Sequence, residues 1–306
     1  MSSWLFCLFM ILRLVWVSPN QGTKPWLKFP LLELVSSPRE VLQTFSAVVV
    51  TGGSSGIGKS FIELCGRVAP AVRVCNLSRT VPLIKSEQLK LCHVPCDLSE
   101  APAVGRAAGE VESWLSCEAS AGRVLLINNS GFGAYGCFPE PNLTHQLELL
   151  DVNIRALVEL TGRLLPVLRK RGGAVMNIAS TAAFQPTPFM ATYGASKAFV
   201  LHWTLALAAE LRGSGVQALA VCPGPTSTQF FRRAGLRQGA VEPGLSMKAE
   251  EVVEQSLRAL GAGRTLVVPG WKNKAIAALG GTLPKRWVTR LAAKAIGRYR
   301  MAQVAS

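Results

Sequence analysis

Residues 47–58 read Ala47-Val48-Val49-Val50-Thr51-Gly52-Gly53-Ser54-Ser55-Gly56-Ile57-Gly58, and a helix-like stretch follows from Lys59. The run 47–51 is apolar on both sides of the pleat, which predicts a strand covered on both faces, as in a parallel sheet. The glycines that follow let the backbone turn sharply and approach a pyrophosphate closely. The N-terminus of the next helix then offers free N–H groups and a favourable dipole to the anion. A glycine-rich turn alone marks only a tight turn, but between the first buried strand and the first helix it points to a bound dinucleotide. Gly52, Ser54, Ser55, Gly56, Ile57 and Gly58 are the expected contacts.

Outward from this loop, similar apolar runs occur at 72–77, 124–128, 174–178, 217–222 and 265–268. The stretches between them carry helical spacing, as in Val200, Thr204, Leu207, Ala208 and Leu211. Strand and helix in alternation predict an α/β fold, a doubly wound parallel sheet with right-handed crossovers. The 306 residues suffice for one such domain with short additions. We place an apolar N-terminal segment and linker at 1–44, the catalytic domain at 45–270 and a helical, basic amphipathic extension at 271–306. No internal repeat or low-complexity tract interrupts this plan.

The second strand ends in Leu77-Ser78-Arg79. An acid here would accept hydrogen bonds from the ribose hydroxyls of NAD. Ser78 stands in that neighbourhood instead, and the Arg79 guanidinium suits a 2′-phosphate. The expected cofactor is therefore NADPH/NADP rather than NADH/NAD. A solvated surface arginine is the plainer alternative.

Composition narrows the class further. Apolar residues make up 49% and charged residues 17%. With a mean hydropathy of +0.29, this describes a globular protein with some membrane affinity, not a disordered or repeat protein. The eight cysteines are scattered without a disulfide-like framework, which favours a reducing compartment. Cys92, His93 and Cys96 lack a second ligand pair at zinc spacing, so no metal is expected.

The formal net charge is +15, and eight basic residues with no acidic ones lie in 271–306. A localised basic end points to an anionic surface. As a helix, 284–300 aligns Arg286, Arg290, Lys294 and Arg298 in a stripe beside Trp287, Leu291, Ala295 and Tyr299, with Val288 and Ile296. That is the pattern of a helix lying on lipid; nucleic acid is the less favoured partner, because stacking aromatics are not evident. Residues 4–17 are apolar except for Arg13, but at fourteen residues they are short for a span of about 20. They read as an anchor or as an apolar helix lying on the bilayer or on the domain.

Tyr193 and Lys197 are four apart, so on a helix they share a face. A tyrosine pKa lies near ~10, and a neighbouring ammonium is expected to lower it. Tyr193 then serves as general acid in reduction or as base in oxidation. Ser180 follows the 174–178 run, at the strand end where such sheets bind ligands, and its hydroxyl can hold a substrate oxygen as charge develops.

Taken with Cys96-Asp97-Leu98, Asn128-Asn129-Ser130-Gly131, Asn153, Tyr193-Gly194-Ala195-Ser196-Lys197 and Pro223-Gly224, the chain resembles the short-chain dehydrogenase/reductase family over roughly 46–269. The resemblance implies a Rossmann-type fold and catalytic roles for Asn153, Ser180, Tyr193 and Lys197. Lys197 would also grip the nicotinamide ribose, and Asn153 would anchor a proton-relaying water. Asp97 and Leu98 would lie beside the adenine, and Asn129 near the adenosine ribose, steadying the sheet. Pro223, Gly224 and Thr226 would lie against the carboxamide, with Thr228 nearby. Gly53 and Ser130 stand where the family often has alanine.

The stretch 180–231 is similar to membrane-associated 3-oxoacyl-CoA and 17β-hydroxysteroid reductases. A loop over 228–245, anchored by Phe230 and Phe231 and charged at Arg232 and Arg233, is expected to cover the site. An apolar pocket suits a lipophilic carbonyl or alcohol of acyl, steroid or retinoid type, with Phe184 and Phe189 in it or merely packing the fold. The expected setting is a membrane surface with the catalytic domain on the cytoplasmic side, or otherwise the cytoplasm. The family's dimers and tetramers leave a homo-oligomer open. A catalytically idle dinucleotide-binding scaffold or redox sensor, and a soluble polyol or sugar dehydrogenase, are the competing readings.

Overall fold

The computed structural model describes residues 37–304 apart from 87, 120, 227–229, 231–233 and 235–245, with the backbone alone for 298–304. The apolar segment 4–17, Thr228, Phe231, Arg232, Arg233 and the side chains of Arg298 and Tyr299 thus lie outside the described residues.

The strands are β1 (Phe45–Thr51), β2 (Arg73–Ser78), β3 (Leu91–Pro95), β4 (Arg123–Asn128), β5 (Gly173–Ile178), β6 (Val216–Val221) and β7 (Leu266–Val267). They form one sheet in the order β3-β2-β1-β4-β5-β6-β7, with every pair parallel. The chain runs outward from β1 to β3 and returns to the other side of β1 for β4, the Rossmann-type arrangement. Its strand order reverses between β1 and β4, so the loops leaving those strands diverge and open a crevice at their C-terminal ends.

Along β1, Val48 and Val50 enter one core layer, while Ala47 and Val49 enter the other. The first layer is completed by α1 (Pro38–Gln43), α2 (Gly56–Val68) and, later in the chain, α7 (Ala249–Gly261), through Leu42, Phe61, Ile62, Val253 and Leu257. The second is completed by α3 (Ala101–Cys117), α5 (Ala156–Arg171) and α6 (Ala191–Glu210), through Val104, Val111, Leu160, Leu164 and Leu207. Each fully buried side chain of this size contributes about 1.5–3 kcal/mol over an exposed one.

Two elements differ from the reading of the sequence. Residues 38–43, expected within the linker, form α1. Its Ser37 and Glu40 make a reciprocal capping box, with Glu40 N donating to Ser37 Oγ at 3.2 Å and Ser37 N to Glu40 Oε2 at 2.7 Å. Its Val41 and Leu42 are buried in the core. Strand β3 was not expected at all. It is a short edge strand holding Cys92 and His93, only partly buried, and so lacks the apolar run that marks the others.

At the C-terminal end, α8 (Trp271–Thr282) and α9 (Lys285–Val304) follow one another, separated by Leu283 and Pro284. The expected helix is present, but it does not simply project: Val288 and Ala292 are buried. Among the described residues no helix is long and apolar enough to cross a membrane, and no cluster of side chains could hold a metal ion.

Candidate active site

A cavity of about 720 Å³ runs along the C-terminal ends of the strands. One end is built from the loop that leaves β1. Gly52 sits at φ +70, and a β-carbon there would stand 2.7 Å from Ser130 Oγ, so only glycine fits. Thr51 Oγ1 accepts from the backbone N–H of Asn129 at 3.0 Å and of Ser130 at 2.9 Å. Asn129 Nδ2 donates back to Thr51 O at 2.9 Å, closing β1 against β4. Ser55 begins α2 without a side-chain cap, which leaves the helix N-terminus for an anion. Gly52, Ser54, Ser55, Gly56 and Ile57 line the cavity; Gly58 lies behind them, packed against Gly52 and Asn129.

Gly53 N donates to Asn76 Oδ1 at 2.8 Å, and a β-carbon on Gly53 would overlap that oxygen. This gives the physical reason for glycine at a position where alanine is common. Asn76 Nδ2 donates to Ser78 Oγ at 2.8 Å and meets His93 Nδ1 at 3.0 Å. His93 Nδ1 must accept there, which places its proton on Nε2. The Ser78 hydroxyl donates to Thr80 O at 2.7 Å, so the turn bearing Arg79 is tied to the glycine loop.

Arg79 Nη1 lies 3.6 Å from Asp97 Oδ2 at the cavity rim. Burial alone would raise the Asp97 pKa. Two hydrogen bonds from Ser99, at 3.0 and 2.7 Å, outweigh it with help from Arg79, and the carboxyl is held below its ordinary value.

At the other end, Ser180 follows β5 and caps the 3₁₀ turn Thr181–Phe184, with Oγ accepting from Ala182 N at 3.1 Å. Its hydroxyl faces the Tyr193 phenol in the same cavity. Burial is the largest influence on that phenol, the Ser180 hydroxyl acts in the lowering direction and Cys222 in the raising one, and the net result is a pKa raised to about 12. Lys197 Nζ donates to Ile178 O at 2.8 Å, and burial lowers its pKa to about 8. The expectation that Lys197 depresses the Tyr193 pKa is therefore corrected for the protein alone. The ammonium is turned to a backbone carbonyl, 6.0 Å from the tyrosine ring centre, and burial dominates the phenol.

Asn153 lies in a π-helical turn, Asp151–Arg155, between α4 (Leu143–Leu150) and α5. Its Oδ1 accepts from Phe132 N at 3.1 Å, and its Nδ2 donates to Phe132 O at 3.0 Å and to Ser196 Oγ at 3.0 Å. Ser196 Oγ donates to Tyr193 O at 2.7 Å, so Asn153 grips α6 at the turn bearing Tyr193. Pro223, Gly224 and Thr226 follow β6 along the cavity, beside Tyr193 and Lys197.

The family model for short chain dehydrogenases spans residues 46–238. The chain belongs to this family. A short chain dehydrogenase from Pseudocercospora fijiensis is 33% identical over 191 residues, 60% of each chain. The ketoacyl reductase HetN of Nostoc is 32% identical over 194 residues, 60% of this chain and 64% of HetN. The chain thus spans under two thirds of the length of these two relatives. A short chain dehydrogenase from Burkholderia cenocepacia, solved with NADP, superposes with a TM-score of 0.63 at 27% identity, covering 78% of this chain and 93% of that one. A short-chain dehydrogenase from Sphingobium yanoikuyae, solved with NADPH, gives 0.62 at 26% identity, covering 78% and 96%.

In this family member the cavity unites Arg79, Asp97, Leu98, Asn129, Ser180, Tyr193 and Lys197. Asn153 supports it from behind, and Thr228 is outside the described residues. Several residues escaped the sequence reading. Asn76 and Thr51 carry the loop contacts, Cys222 sits beneath Lys197, and Asn273 packs under Gly224 while donating to Pro269 O at 2.8 Å. Phe132, Met190 and Phe230 supply the apolar lining near Tyr193, whose ring centre lies 5.2 Å from that of Phe230, and Ile296 lines the same cavity. Phe184 and Phe189 do not line this cavity: Phe184 packs into the core and Phe189 against Tyr135.

Proposed function

We propose that this chain is an NADPH-dependent oxidoreductase that interconverts a ketone and a secondary alcohol on a lipophilic substrate, with Tyr193 as general acid and base. The observation that carries this reading is that Ser180, Tyr193 and Lys197 line the same cavity as the glycine loop.

The residues present fit the dinucleotide. The uncapped N-terminus of α2 and the Gly52 turn would hold the pyrophosphate, Arg79 the 2′-phosphate, Asp97 and Leu98 the adenine side, and Pro223, Gly224 and Thr226 the nicotinamide side. Bound NADPH supplies a hydride. Ser180 holds the carbonyl oxygen, and burial keeps Tyr193 a neutral phenol ready to donate its proton there. A phenolate left behind would be stabilised by the Lys197 ammonium. The NADP- and NADPH-bound structural relatives support the cofactor choice, and the ketoacyl reductase relative supports a carbonyl substrate.

Phe132, Met190, Phe230 and Ile296 favour an apolar substrate of acyl, steroid or retinoid type over a sugar. Such a substrate partitions into membranes, and we set the enzyme at a membrane surface facing a reducing compartment. The test is loss of NADPH absorbance with acyl thioesters, steroids, retinal and sugars. Turnover of the lipophilic carbonyls is expected. Tight NADPH binding without turnover of any carbonyl would favour the scaffold reading instead.

A further inference from the structure

We propose that the exposed residues of α8 and α9 dock on an anionic lipid bilayer, and that they seat the substrate end of the cavity against that bilayer. The second clause rests on the lipophilic-substrate reading; the first does not.

Each of the two helices has buried and exposed residues. In α8, Asn273, Ala277 and Gly280 are buried. Outward lie Trp271, 75% exposed, and Leu279, 57% exposed. In α9, Val288 and Ala292 are buried, while Trp287 and Leu291, one position earlier in each case, are 59% and 62% exposed. A surface meant only for water rarely gathers two tryptophans and two leucines in so short a segment.

Charge selects the occupant. Lys272, Lys274, Arg286, Arg290 and Lys294 stand exposed among these apolar side chains, with Lys272 Nζ 5.8 Å from the Trp271 ring centre. The last acidic residue of the chain is Glu254, so neither helix carries an acidic residue to oppose them. Two copies of so positive a face repel one another, which argues against self-association through it. A nucleic acid would use the cations but leave the bulky aliphatic side chains without a purpose. A bilayer with anionic headgroups uses both.

Both helices are also fastened to the site. Lys285 Nζ donates to Phe184 O at 3.2 Å and Gly280 O at 2.9 Å, tying the start of α9 and the end of α8 to the turn that follows Ser180. Tyr135 Oη donates to Ile296 O at 3.0 Å, and Ile296 lines the cavity. Lipid that holds these two helices therefore holds the cavity wall there too.

The full chain is sedimented with phosphatidylcholine vesicles, with and without phosphatidylserine. The wild type is expected to bind the anionic vesicles at least ~10-fold more tightly. R286E/R290E should lose that preference, and L279S/W287S/L291S should weaken binding to the anionic vesicles by ~10-fold or more. Both variants should turn over a water-soluble ketone at the wild-type rate while losing rate on a vesicle-dissolved one. Pelleting of both variants like the wild type would overturn the docking surface. So would retention on a nucleic-acid column without vesicle pelleting. Normal lipid dependence in a protein that turns over no ketone would leave docking standing and sink the catalytic reading.

Discussion

Lys197 Nζ lies 2.8 Å from the carbonyl oxygen of Ile178, which makes this lysine a brace between α6 and the end of β5. Burial holds its pKa near about 8, well below an ordinary lysine. Below pH 8 the folded protein carries a buried ammonium, at a cost the unfolded chain does not bear.

This predicts a signed pH dependence of stability. Between the folded value of about 8 and the ordinary value of 10.5, the unfolded chain binds the extra proton, so the Lys197 contribution grows more favourable as pH rises. Tyr193 and the buried thiols Cys65 and Cys222, raised to about 12, act oppositely above their ordinary values of 10.0 and 9.0. The clean window is pH 7.5–9, roughly. There, urea unfolding of Lys197→Met and wild type should show a difference that moves in favour of the wild type as pH rises, with a slope of up to about 1.4 kcal/mol per pH unit. A pH-independent difference would refute the buried-ammonium assignment.

Arg79 stands at the cavity rim, shared with Asp97. A hydrogen bond to a charged group is worth about 1.5–3 kcal/mol. Arg79→Asp should therefore raise KM for NADPH by ~10–100-fold and leave NADH little changed. An unaltered preference for NADPH would show that Arg79 does not read the 2′-phosphate.

Asn153 holds both backbone groups of Phe132 and the hydroxyl of Ser196. Asn153→Ala leaves three polar groups without these partners, at about 1–3 kcal/mol for each that stays buried. A drop in melting temperature of roughly 5–10 °C is expected, with reduced turnover. A variant as stable as wild type would contradict the clamp.

The contact between Gly53 and Asn76 predicts a coupled pair. Gly53→Ala should weaken NADPH binding by ~10-fold or more, because its methyl meets Asn76 Oδ1. Adding Asn76→Ser should restore part of the loss, with a coupling of about 0.5–3 kcal/mol in a double-mutant cycle. Strict additivity, measured by fluorescence titration with NADPH, would deny the coupling.

Much of this was legible in the sequence, for physical reasons. Strands buried on both faces must be apolar throughout, so β1, β4 and β5 announce themselves. The edge strand β3 is under no such demand, and with Cys92 and His93 it reads as loop. Helix α1 hid behind Pro38, although Ser37 and Glu40 spell a capping box. Tyr193 and Lys197 are neighbours on one helix, so spacing alone joins them. Asn76 and Gly53, or Ile296 and Tyr135, meet only through the tertiary fold, and no local pattern marks them. The Tyr193 pKa was misjudged because the ammonium was weighed without burial.

The most direct test is single-turnover reduction of a lipophilic ketone by NADPH-loaded wild type and Tyr193→Phe, with NADPH affinity measured in parallel. Loss of the proton donor should slow the chemical step by ~10²–10⁴-fold while NADPH affinity stays within a few-fold of wild type. Turnover by Tyr193→Phe at the wild-type rate would contradict Tyr193 as the proton donor.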